Sequence, residues 1–133
     1  DLAAEKRNGD VVRGMIHAGT ATAVHDLSDG GLLVALAEMA MAGGIGALLD
    51  AAPGELVPHG YWFGEDQARY VVTVRDADLL GVLSKLKAVE VPCVQIGKTG
   101  GDAIAVAGEA PVKIETLRHA FESWLPDYMA GKN

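Results

Sequence analysis

The sequence predicts an α/β or α+β layer fold in which helices cover a mixed sheet. Three observations predict it. Segments of helical period alternate with short β-branched runs. One pair of short runs is joined by a glycine-rich link of hairpin type. The 17 glycines fall at the ends of periodic segments, where they mark turns and caps rather than low complexity. A chain of 133 residues suits one domain and withdraws roughly two thirds of its unfolded surface from water. Neither a metal nor a disulfide staple is needed for stability.

The elements follow in order. Leu2 to Ala18 reads as an amphipathic helix with Val11, Val12, Met15 and Ile16 on one face and Gly19 past its end. Thr22 to His25 is a short strand and Leu32 to Ala42 a helix. Ala47 to Asp50 is a strand, and a loop then runs through Pro53, Gly54, Pro58 and Gly60. Ala68 to Arg75 holds the β-branched run of the clearest strand, Tyr70-Val71-Val72-Thr73-Val74. Asp76 is expected to cap a helix ending near Ala88, with Leu79, Leu80, Leu83 and Leu86 apolar. Val94–Lys98 and Ala103–Ala107 are expected to pair across Thr99-Gly100-Gly101-Asp102. A last helix, Glu115 to Trp124, is expected to stop at Pro126.

Composition excludes several classes. Half the residues are hydrophobic and 22% charged, the ordinary globular mixture. A net charge of −7 gives no support to a nucleic-acid partner, since phosphate neutralisation needs clustered Lys and Arg. The longest apolar stretch, Leu32 to Leu49, is interrupted by Glu38, Gly43, Gly44 and Gly46, so it is not read as a membrane span. Cys93, the single cysteine, excludes an internal disulfide framework and suits a reducing compartment. It is expected to be a buried, inert thiol on a strand. The chain begins Asp1-Leu2-Ala3-Ala4-Glu5, without the pattern of a signal peptide, and reads as a piece of something longer.

Chemistry first enters at His25-Asp26-Leu27-Ser28-Asp29-Gly30-Gly31. Here a strand ends, a polar turn follows and a helix begins, the geometry that presents free N–H groups to an anion. Ser28 could donate a hydroxyl or cap the helix, and Gly30 and Gly31 allow close backbone approach. Asp29 would compete with an anion for the same donors. On residues alone the turn reads first as a Ser/Asp-capped start to a buried helix whose glycines permit close packing, and alternatively Asp26 with Asp29 could hold hydrated Mg²⁺. A second group is Gly64-Glu65-Asp66-Gln67-Ala68-Arg69. At strand period Glu65, Gln67 and Arg69 would form a row able to read a polar ligand, or simply an exposed Glu–Arg pair. Tyr61-Trp62-Phe63 precedes it, and three consecutive aromatics cannot all face one core.

Other signals fail. Gly97-Lys98-Thr99 imitates the end of a P-loop, but the first glycine of that motif would fall at Pro92. His17, His59 and His119 lack zinc-ligand spacing. His25 and Asp26, adjacent on a strand, point to opposite faces.

Val24 to Leu32, continuing through Ala35-Leu36-Ala37-Glu38-Met39-Ala40, together with Phe63 to Val72, resembles the phosphoribosylformylglycinamidine synthase family. The likeness is to the C-terminal domain of its large (synthetase) subunit, in the aminoimidazole ribonucleotide synthetase C-terminal-like superfamily. It implies a three-layer α/β/α domain with a mixed sheet and partial ferredoxin-like topology, spanning residues 1–133 as a single C-terminal synthetase-type domain. It also implies cytoplasmic purine synthesis, in which ATP and glutamine-derived ammonia convert an amide to an amidine.

The family carries this kind of domain twice and contacts substrate through Glu-Ser-Gln in the first copy. Glu65-Asp66-Gln67 at the corresponding place resembles the second copy, and Asp66 would repel a phosphorylated substrate. The resemblance therefore assigns no catalytic residue and no metal ligand. Ser28, Asp29, Gly30, Gly31, Glu65 and Gln67 stand as candidate contacts with a nucleotide, a phosphate or a neighbouring domain. ATP and Mg²⁺ are implied for the full-length enzyme, with none expected bound tightly to the fragment. The implied partners are the other domains of the same synthetase chain, a glutaminase subunit and a small bridging subunit, with no nucleic acid and no membrane. Two alternatives stay open: another ATP-using enzyme of the superfamily, or a non-catalytic ligand-sensing or dimerisation module.

Overall fold

The computed structural model describes residues 1–54 and 56–132, and it has the expected mixed α/β class. The first half runs α1 (Leu2–His17), β1 (Ala21–Asp26), α2 (Gly31–Gly43), β2 (Ala47–Leu49), α3 (Pro58–Phe63) and β3 (Tyr70–Val74). The second runs α4 (Leu79–Ala88), β4 (Gly97–Thr99), β5 (Ala103–Val106), β6 (Val112–Lys113), α5 (Ile114–Glu122) and α6 (Trp124–Met129). The chain divides into two compact units, residues 1–35 with 53–95, and residues 36–52 with those from Ile96 onward. The strands divide likewise into two sheets, where the sequence suggests one. No helix among the described residues is long and apolar enough to cross a membrane.

In the first unit, Asp1 opens α1 by accepting from the Ala3 and Ala4 amides at 2.9 and 3.3 Å. The helix ends where Gly19 takes φ +65°. Gly19 and Thr20 then donate to the Ile16 and Met15 carbonyls, each at 3.0 Å, a Schellman closure. β1 and β3 pair antiparallel, with Val24 opposite Val72. Between Ala21 and Ala23 β1 carries one extra residue, a bulge at Thr22 whose hydroxyl lies 2.7 Å from that of Thr73. Leu27, Leu32, Ala35, Trp62, Val71, Val82 and Leu86 are this unit's buried apolar residues.

In the second unit the sheet order is β4-β2-β5-β6. β2 runs antiparallel to β4 and parallel to β5, so this sheet is mixed. Leu36, Ala40, Ala47, Leu49, Ile104 and Ile114 are buried here.

Several expectations are corrected. The stretch read as loop through Gly60 contains α3, since Pro58 sits in its first turn, where a missing N–H costs nothing. The strand read from Ala68 starts at Tyr70, because Ala68 has φ +64°. The cap of α4 is Asp78, not Asp76, and Asp78 makes no side-chain cap bond; its carboxylate is instead held by Arg75 Nε at 2.9 Å. The expected hairpin does not form, because β2 lies between β4 and β5. Cys93 is exposed, outside any strand. Pro126 does not end the last helix but lies in the first turn of α6, whose N–H groups have no intrahelical acceptor. β6, only two residues long, carries no periodic signal and escapes sequence reading.

Candidate functional site

The two motif segments meet within the first unit. Past the last rung of the β1–β3 ladder, Asp26 opposite Tyr70, buried Leu27 donates its N–H to the Arg69 carbonyl at 3.0 Å. The chain then turns through exposed Ser28 and Asp29. Ser28 contributes its carbonyl, which accepts from the Gly31 N–H at 3.0 Å. Gly30 and Gly31 take φ +81° and +69°, a region L side chains rarely enter. A Cβ on Gly31 would stand 2.7 Å from the Phe63 carbonyl carbon and 2.8 Å from the Gly64 oxygen. Only glycine lets α2 start against that backbone. One residue earlier, the Gly30 N–H donates to Glu65 Oε1 at 2.8 Å.

This junction sets the electrostatics of the turn. The start of α2 carries free N–H groups and a partial positive charge that favour a negative partner. Glu65 supplies one from within the chain. At the Gly30 N–H an incoming phosphate would have to compete with that carboxylate. The helix start expected at the end of β1 is therefore present, and its nearest anion is the protein's own.

The remaining site residues are distributed differently from expectation. Gln67 is exposed and lies in the turn that ends at Ala68, so Glu65, Gln67 and Arg69 do not share a strand face. Arg69 lies 3.5 Å from Asp66, which is 80% exposed, a weak pair. Asp29 is exposed. His25 is half-buried, its Nδ1 2.6 Å from the Asp26 carbonyl. It borders an open groove of about 520 Å³ lined also by Gly9, Arg13, Ile16, Asp26 and Tyr70. Among the described residues no three His, Cys, Asp or Glu gather as a metal site. Asp26 and Asp29 thus do not belong to a protein-built cage for Mg²⁺, and water would have to complete its shell.

One contributor lay outside the motifs. Asn8 of α1 donates Nδ2 to the Ala68 carbonyl at 3.1 Å, fixing the left-handed turn between Glu65 and β3. Its Oδ1 is buried without a partner. A lone amide within the amphipathic α1 is the only signal that could have marked it. In the aromatic triplet, Trp62 is buried, Tyr61 meets it edge-on at 4.9 Å, and Phe63 is 52% exposed.

Residues 1–108 match the family model for the AIR synthase related protein, C-terminal domain. The phosphoribosylformylglycinamidine synthase subunit PurL of Nitrobacter hamburgensis is 79% identical over 132 residues, 99% of this chain and 18% of that protein. Among solved structures, Thermotoga maritima PurL complexed with FGAR superposes with a TM-score of 0.75 at 19% identity, over 88% of this chain and 21% of that one. The same protein complexed with ATP gives 0.72 at 17% identity, over 84% and 21%. Likeness at such identities is one of fold. The chain spans about 18% of the length of the curated relatives it matches.

Proposed function

Because this chain belongs to the family of the AIR synthase related protein, C-terminal domain, we propose that it is one such domain of a larger phosphoribosylformylglycinamidine synthase. The reading takes residues 1–133 as a single C-terminal synthetase-type domain. The parent would be a cytoplasmic ATP-dependent ligase of purine synthesis, converting formylglycinamide ribonucleotide to its amidine with glutamine-derived ammonia. The observation that carries the reading is the 79% identity, over nearly the whole chain, to a relative named for that synthase. The ATP-complexed neighbour of the same fold supports nucleotide use by the parent.

In this reading ATP phosphorylates the glycinamide carbonyl oxygen of the substrate, and ammonia then displaces phosphate to leave the amidine with the formyl group intact. Glu65 already accepts from the Gly30 N–H at the α2 start, and Asp26 with Asp29 would hold Mg²⁺ only with water completing its shell. No step is therefore routed through them. The domain's work is to wall and position: Gly30, Gly31 and Glu65 fix where α2 meets the Phe63–Gly64 backbone, with Ser28, Asp29 and Gln67 exposed beside it as contacts for a neighbouring domain. Geometry fixed in this way contributes to rate through orientation rather than acid–base chemistry. A glutaminase subunit and a small bridging subunit would deliver ammonia.

The test is amidine formation from ATP, ammonia and formylglycinamide ribonucleotide by the parent chain, with residues 1–133 alone run beside it. Product from the parent and none from the fragment is expected. A folded parent that forms no amidine defeats the reading of the reaction. Product from the fragment alone defeats the division of roles.

A further inference from the structure

In its middle, α1 carries the one Asn-Gly pair of the chain, Asn8-Gly9. Both residues are poor helix formers, so helix propensity does not account for them there. Asn8 serves a tertiary contact: its Nδ2 donates to the Ala68 carbonyl at 3.1 Å, holding a non-glycine residue at φ +64°. Its Oδ1 is buried without a partner. The same pair is chemically unstable wherever its backbone is free, asparagine being a thermolabile residue. With no Cβ on Gly9 in the way, the Gly9 amide nitrogen attacks the Asn8 Cγ, the Cγ–Nδ2 bond breaks, and Nδ2 leaves as ammonia. Water then opens the succinimide ring at either carbonyl, giving aspartate or isoaspartate. Asparagine and water thus become an acid and ammonia, with no oxidant or cofactor involved.

Folded α1 keeps each participant from reacting. The Gly9 N–H is taken up by helical i→i−4 pairing, and helical ψ holds its nitrogen out of line with the Asn8 Cγ. The leaving Nδ2 is tied to Ala68. We propose that Asn8-Gly9 is a deamidation site gated by the opening of α1, and that its product releases the Glu65–Arg69 segment. Aspartate formed there sets an oxygen against the Ala68 carbonyl where a donor stood, leaving two acceptors facing each other. Isoaspartate also lengthens the main chain by a carbon, which breaks the helical repeat. In both forms the left-handed Ala68 turn loses its hold from α1. Next to that turn, the Arg69 carbonyl accepts from Leu27 at 3.0 Å, and the Glu65 carboxylate accepts from Gly30 at 2.8 Å. Neither product reverts unaided, so an opening of α1 is recorded permanently, whether or not the parent forms amidine.

Peptide mapping by mass spectrometry of the parent chain, held in warm, mildly alkaline buffer, tests the site through the small mass gain of the peptide carrying Asn8. Conversion in urea is expected to run at least about tenfold faster than in the native chain, because only the open fraction of native α1 reacts. Equal rates overturn the gating, and no conversion in either state overturns the site. Gly9→Ala should slow conversion in urea by at least about tenfold, since its Cβ obstructs ring closure. An unchanged rate would mean direct hydrolysis and would overturn the route through Gly9. Hydrogen exchange then reads the release in the native parent, on the aged wild type, whose modified and unmodified molecules differ in mass, and on Asn8→Asp. The Leu27 and Gly30 amides should exchange at least about fivefold faster in the acid form than in the unmodified form, with the Gly46 amide unchanged. Equal exchange at Leu27 and Gly30 overturns the release, and acceleration at Gly46 as well overturns it in favour of global loosening.

Discussion

The Gly30 N–H and the Glu65 carboxylate, 35 residues apart in sequence, meet at 2.8 Å. With Gly31 pressed on the Phe63–Gly64 backbone, this contact makes one junction of two motifs that sequence alone presents separately. The junction places a carboxylate where a helix start would otherwise invite an external anion.

Gly31→Ala should be among the most damaging single changes in the first unit. Its φ of +69° strains any L residue, and its Cβ would meet main chain below 3 Å, which cannot swing aside. A loss of at least about 2 kcal/mol is expected from strain and forced backbone movement. Gly14→Ala is the control: it lies inside α1 with nothing within 4 Å, and should gain about 0.5–1 kcal/mol. Urea titration of both variants checks the pair, and equal effects would remove the packing argument.

Glu65→Ala should lose about 1 kcal/mol, in the range for removing a helix N-terminal acceptor. Glu65→Gln keeps an acceptor for Gly30 and should lose less. If the two variants match the wild type in urea, the carboxylate does not hold the junction.

How far this was legible in sequence depended on range. The segment Val24 to Ala42 showed strand, turn and helix correctly because each signal there is local: β-branching, two adjacent glycines, then an apolar run. That Gly30 reaches Glu65 is a long-range fact with no periodicity to announce it. The supposed Glu65-Gln67-Arg69 row failed for a related reason. It assumed an extended backbone, whereas Ala68 turns left-handed with Asn8, from α1, holding its carbonyl. Two short strands linked by glycines likewise look like a hairpin until a third strand, distant in sequence, takes the place between them.

Acid should weaken α1 through Asp10. The hydrogen bond from Lys6, with the charges of Lys6 and Arg13, holds its carboxyl below the ordinary 3.8, and both partners lie at 2.5 Å. A lowered folded pKa means the stabilisation is present in full above 3.8 and is lost as pH falls through the lower folded value. Asp10→Asn should therefore lower the melting temperature slightly at neutral pH and leave the most acidic points unchanged, which flattens the acid limb of the profile. An unchanged acid limb would show the pair to be inert.

Cys93 should label in the native protein, against the sequence expectation of a buried thiol, because its residue is exposed. Partial desolvation by neighbouring chain raises its pKa above 9.0, so the reactive thiolate is scarce at neutral pH. Alkylation should go to completion without denaturant, with a rate that keeps climbing past pH 9. A plateau below that pH, or labelling only in urea, contradicts this placement.

The sheet order β4-β2-β5 rests on Gly46. Its N–H donates to the Gly101 carbonyl at 2.9 Å while its own carbonyl accepts from Gly100 at 2.8 Å, so β2 enters between the ends of the other two strands. A Cβ there would lie 2.7 Å from the Ala103 nitrogen and within the Ala103 carbonyl oxygen. Gly46→Ala must therefore push β5 away or unpair it, and a main-chain clash in a buried strand start should cost about 2 kcal/mol or more. Native-state hydrogen exchange localises the effect. The wild type should protect the amides of Gly46, Gly100 and Ala107, the last of which donates to Leu49 at 2.9 Å. In Gly46→Ala all three should exchange faster together, with the β1–β3 amides slowed as before, because the change lies wholly in the second unit's sheet. If instead Gly100 and Gly101 stay protected while Gly46 alone opens, the strands at 97–99 and 103–106 pair with each other. The hairpin read from sequence would then be the true register.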